Sequence, residues 1–188
     1  MNDWNGSDLT GTLLVAMPTM SDERFERSVI YVCAHSEDGA MGLVVNKLME
    51  ELTLPALLRQ LKIDPGDVAE EPIHFGGPVE SSRGFVLHTS DYVQDSTMVI
   101  DDQVGLTATV EVLKAIARGE GPARKVMALG YAGWSAGQLD SEIQANGWLS
   151  VPADEEILFG SDHAHKWERA LAKIGVTPAM LSAEAGHA

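Results

Sequence analysis

Cysteine is almost absent: Cys33 is the single one in 188 residues, so no internal disulfide can brace the fold. It lies within the apolar run 29–34, where a thiol serves as a small buried hydrophobe. Basic residues are also scarce, with 13 Lys and Arg against 28 Asp and Glu and a net charge of −15. Such a charge repels nucleic acid and anionic membranes unless a basic patch overrides it. Arg24 and Arg27 alternate with Glu23 and Glu26, and Arg124-Lys125 is only a pair. Direct nucleic-acid binding is therefore not expected; the acidity suits solubility or a basic protein partner. No apolar run approaches the roughly 20 residues that span a bilayer. Met1-Asn2-Asp3-Trp4-Asn5-Gly6 lacks the basic and apolar regions of a signal peptide. No membrane association and a cytoplasmic location are expected.

The chain that remains, 45% hydrophobic, suffices for one well-buried core. Residues 1–8 read as a flexible terminus and 9–188 as a single domain, with no repeat, low-complexity tract or dividing linker. Strands are expected at 12–16, 29–34, 41–45, 73–75, 85–88 and 97–100, with an Asp38-Gly39 turn joining the second and third as a hairpin. Leu54, Leu57, Leu58 and Leu61 recur at helical spacing behind a Thr53 cap. Leu106, Val110, Leu113 and Ala117 mark a second helix, and Thr177-Pro178 starts a last one. Ile157-Leu158-Phe159 reads as extended. Hairpins mixed with helices point to an α+β domain with a mixed or largely antiparallel sheet.

The stretch 124–149 holds the densest signal. Val126 to Leu129 reads as a short strand covered on both faces, and Gly130 and Gly133 as a sharp turn. Ser135-x-x-Gln138 has the spacing of a capping box, opening a helix that Asn146-Gly147 stops. Gly133-Trp134-Ser135-Ala136-Gly137 also matches the G-x-S-x-G string of a hydrolase nucleophile elbow, with His163 or His165 downstream. Capping already accounts for Ser135, little chain follows it, and Trp134 is bulky for so tight a turn.

Together these segments resemble one family. The string Gly11-x-Leu13-Leu14-x-Ala16-x-Pro18-x-Met20-x-Asp22-x-x-Phe25 is followed by Ser28-Val29, by His35 with Gly39, Gly42 and Asn46, and by Gly76-Gly77-Pro78-Val79 and Leu87-His88. Gly130-Tyr131-x-Gly133-Trp134-x-x-Gly137-Gln138-Leu139-x-x-Glu142 and Trp148 complete the set. In this order, over residues 9–160, they resemble the bacterial AlgH/YqgE family. The resemblance implies a compact α+β fold with a bifurcated or barrel-like sheet surrounded by helices, in cytosolic proteins without an assigned activity. Some members are described as transcriptional regulators. Here there is no helix-turn-helix with basic flanks, so any regulation would be indirect.

The candidate site is a pocket where strand ends meet the glycine loops. Gly76 and Gly77 would offer backbone N–H groups to an anion, with His35, Asn46, His88 and Gln138 as the side-chain contacts. The polar residues Asp22, Ser28, His35, Asn46, His74, His88, Gln138, Glu142 and Asn146 nevertheless read first as caps, strand-end ligands and satisfied core groups. His35, His74 and His88 are too scattered for a zinc motif, and the two histidines of His163-Ala164-His165 would diverge on a helix. No metal or cofactor is expected. A non-catalytic binding or indirect regulatory protein is the expectation; the alternative is a small hydrolase or transferase using Ser135 or a His35/His88 pocket.

Overall fold

Period-two alternation of apolar residues builds the first strand of the computed structural model, which describes residues 8–185. In β1 (Thr12–Ala16), Leu13 and Val15 enter one core while Leu14 and Ala16 enter another. The strand is thus covered on both faces. It pairs antiparallel with β2 (Val29–Ser36), which returns through the Asp38-Gly39 turn as β3 (Gly39–Val44). The expected frayed terminus, 1–8, lies outside the described residues except for Asp8.

A polar strand, β4 (Leu48–Thr53), leads into α1 (Leu54–Gln60), where the Thr53 hydroxyl accepts the Ala56 N–H as the sequence foretells. Next come β5 (Pro72–Phe75), the long β6 (Val79–Thr89), the short β7 (Met98–Val99) and β8 (Val104–Thr107). The second helix, α2 (Val110–Ala117), starts later than its apolar spacing suggests, because Leu106 belongs to β8. Then β9 (Lys125–Ser135), α3 (Gln138–Gln144), β10 (Trp148–Pro152), α4 (Glu155–Phe159), α5 (Lys166–Ala172) and α6 (Pro178–Ala185) complete the order. Residues 157–159, read above as extended, are helical: the Asp154 carboxylate accepts the Ile157 N–H and caps α4.

The strands run in the order β10-β1-β2-β3-β9-β6-β8-β7. One edge of β9 pairs with β6; the other is divided. Its first half pairs with β5 in parallel at Ala128 and Leu129, and its second half pairs with β3 from Ala132 to Ser135. The sheet forks there, so the α+β fold with a bifurcated, half-barrel sheet is observed. Val126 to Leu129 does alternate between two cores, but the strand does not end there: it continues through Gly130 and Gly133 to Ser135.

The fork explains the glycine loop. Gly76 donates its N–H to the Leu129 carbonyl and accepts from Val44 N–H, at 2.8 and 2.9 Å, bridging the diverging strands. A Cβ on Gly76 would lie 2.3 Å from the Gly130 carbonyl oxygen, and one on Gly77 would lie 2.1 Å from the Tyr131 carbonyl carbon. Three backbones cross here at distances only glycine allows. α4 and α5 pack against one side of the sheet through Ile157, Trp167 and Leu171, and α1 and α2 against another through Leu58 and Ile116. α3 closes the third cluster with Leu139 against Trp134 and Trp148.

Candidate functional site

Two hollows meet at one wall. The larger, about 930 Å³, lies between the β2–β3 arm and β6, β7 and β8, over the second half of β9. Alternation along these strands turns Cys33, Met41, Phe85, Leu106 and Tyr131 into it, an apolar floor, with His35 and Arg83 among its polar members. Phe85 and Tyr131 stand edge to face with centroids 5.8 Å apart, and the Arg83 guanidinium lies 5.1 Å over Phe85. The smaller, about 600 Å³, is formed by β9, α3, β10 and the turn Glu23–Phe25. Val79, Gly133 and Trp134 line both.

The thiol that lines the larger hollow is not an activated nucleophile. Burial pushes the Cys33 thiol up to about 12, so the thiolate is not formed near neutral pH. His35 accepts the Leu9 N–H on Nδ1 at 3.0 Å and places Nε2 3.5 Å from Asp140 Oδ1. Its Nδ1 lone pair is used structurally, tying the start of the chain to the end of β2.

Of the six residues expected at a shared ligand pocket, the structure brings His35 to the larger hollow and Gln138 to the smaller. The others sit elsewhere. Asn46 accepts the Val29 N–H and donates to the Arg27 carbonyl, fixing the entry to β2. Gly76 spends its N–H on Leu129, and neither Gly76 nor Gly77 lines either hollow. His88 is fully buried: Nδ1–H donates to the Thr89 carbonyl and Nε2 accepts from the Thr107 hydroxyl, both within 2.9 Å. A combined His35/His88 pocket does not form. His88 pairs with Lys125 at the start of β9, whereas His35 lies, through Ala40, level with Trp134. The two are separated by roughly 30 Å along the strand.

Ser135 is the last residue of β9 and does not cap α3, whose N-cap is Gly137 at φ 73°. Half of the expected capping box survives, since Gln138 Oε1 accepts the Ser135 N–H at 2.9 Å. The serine hydroxyl donates to that same Oε1 at 3.2 Å, and among the described residues no histidine is bonded to it. The nucleophile-elbow arrangement is therefore not present: the serine lies on an extended strand paired with Gly39.

Sequence reading missed two polar constellations. Glu142 is a clamp: Oε1 accepts both indole N–H groups, Trp134 at 3.2 Å and Trp148 at 3.0 Å, while Oε2 accepts from Gln138 Nε2 at 2.8 Å. The indoles lie eight residues before and six after it, a spacing visible only once β10 returns beside β1. The second constellation lies at a small pocket near β5 that His74 and His163 line. His74 Nε2 and His163 Nδ1 are 3.4 Å apart, and the Lys166 ammonium donates to the Val45 and Leu158 carbonyls at 2.9 and 3.2 Å. Burial, with His163 and Lys166 adding to it, pushes His74 down to about 3. Burial also pushes Lys166 down to about 8. Among the described residues no three His, Cys, Asp or Glu side chains converge as a metal cage.

The family profile described as AlgH-like matches residues 13–179. The chain belongs to the AlgH-like family. A UPF0301 protein of Methylobacterium nodulans is 59% identical over 191 residues, covering 97% of this chain and 91% of its own length. A UPF0301 protein of Rhodospirillum rubrum is 53% identical over 181 residues, covering 96% and 94%. The solution structure of the AlgH protein from Pseudomonas aeruginosa superimposes with a TM-score of 0.80 at 41% identity over the whole of both chains. A crystal structure of a Corynebacterium diphtheriae protein shares the fold with a TM-score of 0.74 at 22% identity, covering 96% of this chain and 94% of that one. Among the described residues of this AlgH-like chain no helix is long and apolar enough to cross a membrane.

Proposed function

We propose that this AlgH-like chain is a non-catalytic cytoplasmic binding protein that takes a small, largely apolar ligand in the larger hollow and acts indirectly, through a protein partner. The observation carrying this reading is the composition of that hollow, an apolar floor of Cys33, Met41, Phe85, Leu106 and Tyr131 with few polar groups at its margin. This is the balance of ligand pockets, where apolar area supplies affinity and a few polar groups set orientation. The thiol that reaches it is held protonated, and the histidine beside it is engaged by Leu9 and Asp140. Neither supplies the nucleophile and free base that a hydrolase or transferase needs.

A thermal-shift screen against apolar carboxylates, apolar amines and nucleotides tests the reading, because a ligand that binds only the folded state raises the melting temperature. An apolar hit that Met98→Glu abolishes is expected. Met98 is on the edge strand β7, 42% exposed, and lines the hollow, so its replacement puts a carboxylate at the ligand without disturbing the core. A ligand at a hundred times its Kd stabilises by about 2.7 kcal/mol, an effect the variant would erase. No apolar hit, or a hit indifferent to Met98→Glu, would sink the proposal.

A further inference from the structure

The smaller hollow has walls of two kinds. Trp134 and Trp148 stand edge to face with centroids 6.1 Å apart, and Phe25 meets Trp148 at 5.9 Å. Beside these rings lies the Glu142 carboxylate, held by two indole N–H groups and the Gln138 amide. All three donors are neutral. None of the ion pairs among the described residues includes Glu142, so its formal charge faces aromatic walls without a cation of its own.

Asp22, on the rim of the same hollow, is the instructive contrast. Arg24 pairs with it at 2.7 Å and holds its carboxyl below the usual carboxylate range. The same guanidinium lies 5.6 Å from the Phe25 ring centroid. The chain thus seats one arginine here between a ring face and a carboxylate, and that pairing of groups recurs at Glu142 with two larger rings. A guanidinium suits it better than an ammonium, because its planar fork meets a carboxylate and its flat face stacks on an indole.

We propose that this hollow receives an arginine side chain from a basic segment of a partner protein, the guanidinium set against Trp134 and paired with Glu142, with Trp148 buried behind the carboxylate. Charge complementarity argues for this occupant. The chain carries a net charge of −15, which accelerates encounter with a basic partner and repels an acidic one. The hollow, about 600 Å³, accommodates an arginine with its neighbouring residues. The proposal stands apart from the apolar ligand site, with which it shares only the wall formed by Val79, Gly133 and Trp134.

The test titrates the isotope-labelled protein with a peptide of alternating glycine and arginine and follows the indole N–H resonances of Trp134 and Trp148. Saturable shifts of both are expected, with tighter binding than for the matching glycine-lysine peptide. Glu142→Gln removes the charge and is expected to weaken binding about tenfold or more. Should that variant disturb the clamp, Ala145→Lys gives an independent reading. Ala145 is exposed at the end of α3 and lines the hollow, so a lysine there competes with the peptide for Glu142 and leaves the indole bonds alone. Shifts spread over the acidic surface while both indole signals stay fixed would overturn the proposal. So would an affinity unchanged in either folded variant. Concentration-dependent shifts of the two indoles without peptide would put a second copy of the chain in the hollow, and overturn it likewise.

Discussion

Gly77→Ala is expected to lower stability by about 3 kcal/mol or more, enough to abolish much of the net stability typical of a domain this size. Two effects add. Gly77 has φ 154°, a conformation L side chains rarely adopt, and the new Cβ would lie 2.1 to 2.4 Å from three backbone atoms of Tyr131 and Ala132. Left-handed strain alone contributes about 1–2 kcal/mol, and forcing packed backbone apart contributes a further 1–3 kcal/mol. Gly137→Ala separates the two. Gly137 has φ 73° but nothing within 4 Å of its would-be Cβ, so only the conformational part should appear, about 1–2 kcal/mol. Urea unfolding of the two variants checks this, and equal losses would refute the idea that the backbone crossing at the fork is what demands glycine.

Acid should destabilise the protein steeply between pH 6.5 and pH 3, and His74 should be a principal cause. In the folded chain burial holds His74 near 3, whereas the unfolded side chain titrates at 6.5. Within that window the unfolded state binds a proton that the native state refuses, so stability falls as pH drops and is fully restored above 6.5. Full titration across the window gives an upper bound of about 5 kcal/mol. His163, also lowered by burial and by Lys166, acts in the same direction. His74→Phe keeps an aromatic ring beside His163, where the present centroids are 4.7 Å apart, but cannot bind the proton. Its unfolding free energy should vary less with pH from 6.5 to 3 than that of the parent. Parallel curves would show that His74 has no part in acid unfolding.

Local signals were readable in this sequence and long-range ones were not. The β2–β3 hairpin, the Thr53 cap and the start of α6 each depend on residues within a few positions. β4 escaped because Glu50 and Glu51 interrupt it and its side chains stay largely at the surface. β10 escaped because Trp148-Leu149-Ser150-Val151-Pro152 is short and gains its identity by pairing with the distant β1, Trp148 against Ala16 and Pro152 against Thr12. Ile157-Leu158-Phe159 was misread since an apolar triplet fits strand and helix alike, and the Asp154 cap decides between them. The candidate site divided along the same line. His35 and Gln138 reached hollows, whereas His88 and Asn46 proved to be satisfied structural groups, and the Glu142 clamp needed two strands and a helix in place before it could be seen.

The divided edge of β9 has a kinetic meaning. Strands β3, β5 and β6 all take hydrogen bonds from it, so neither arm of the sheet can peel away while it stays in place. Partial opening that releases one half should therefore be rare, and the protein should unfold as one cooperative unit. In native-state hydrogen exchange, the amides of residues 126–132 should be protected up to the full unfolding free energy. The amides of β7, held among the described residues by β8 alone, should exchange through small local openings. The fork that shapes both hollows also couples the two halves of the fold.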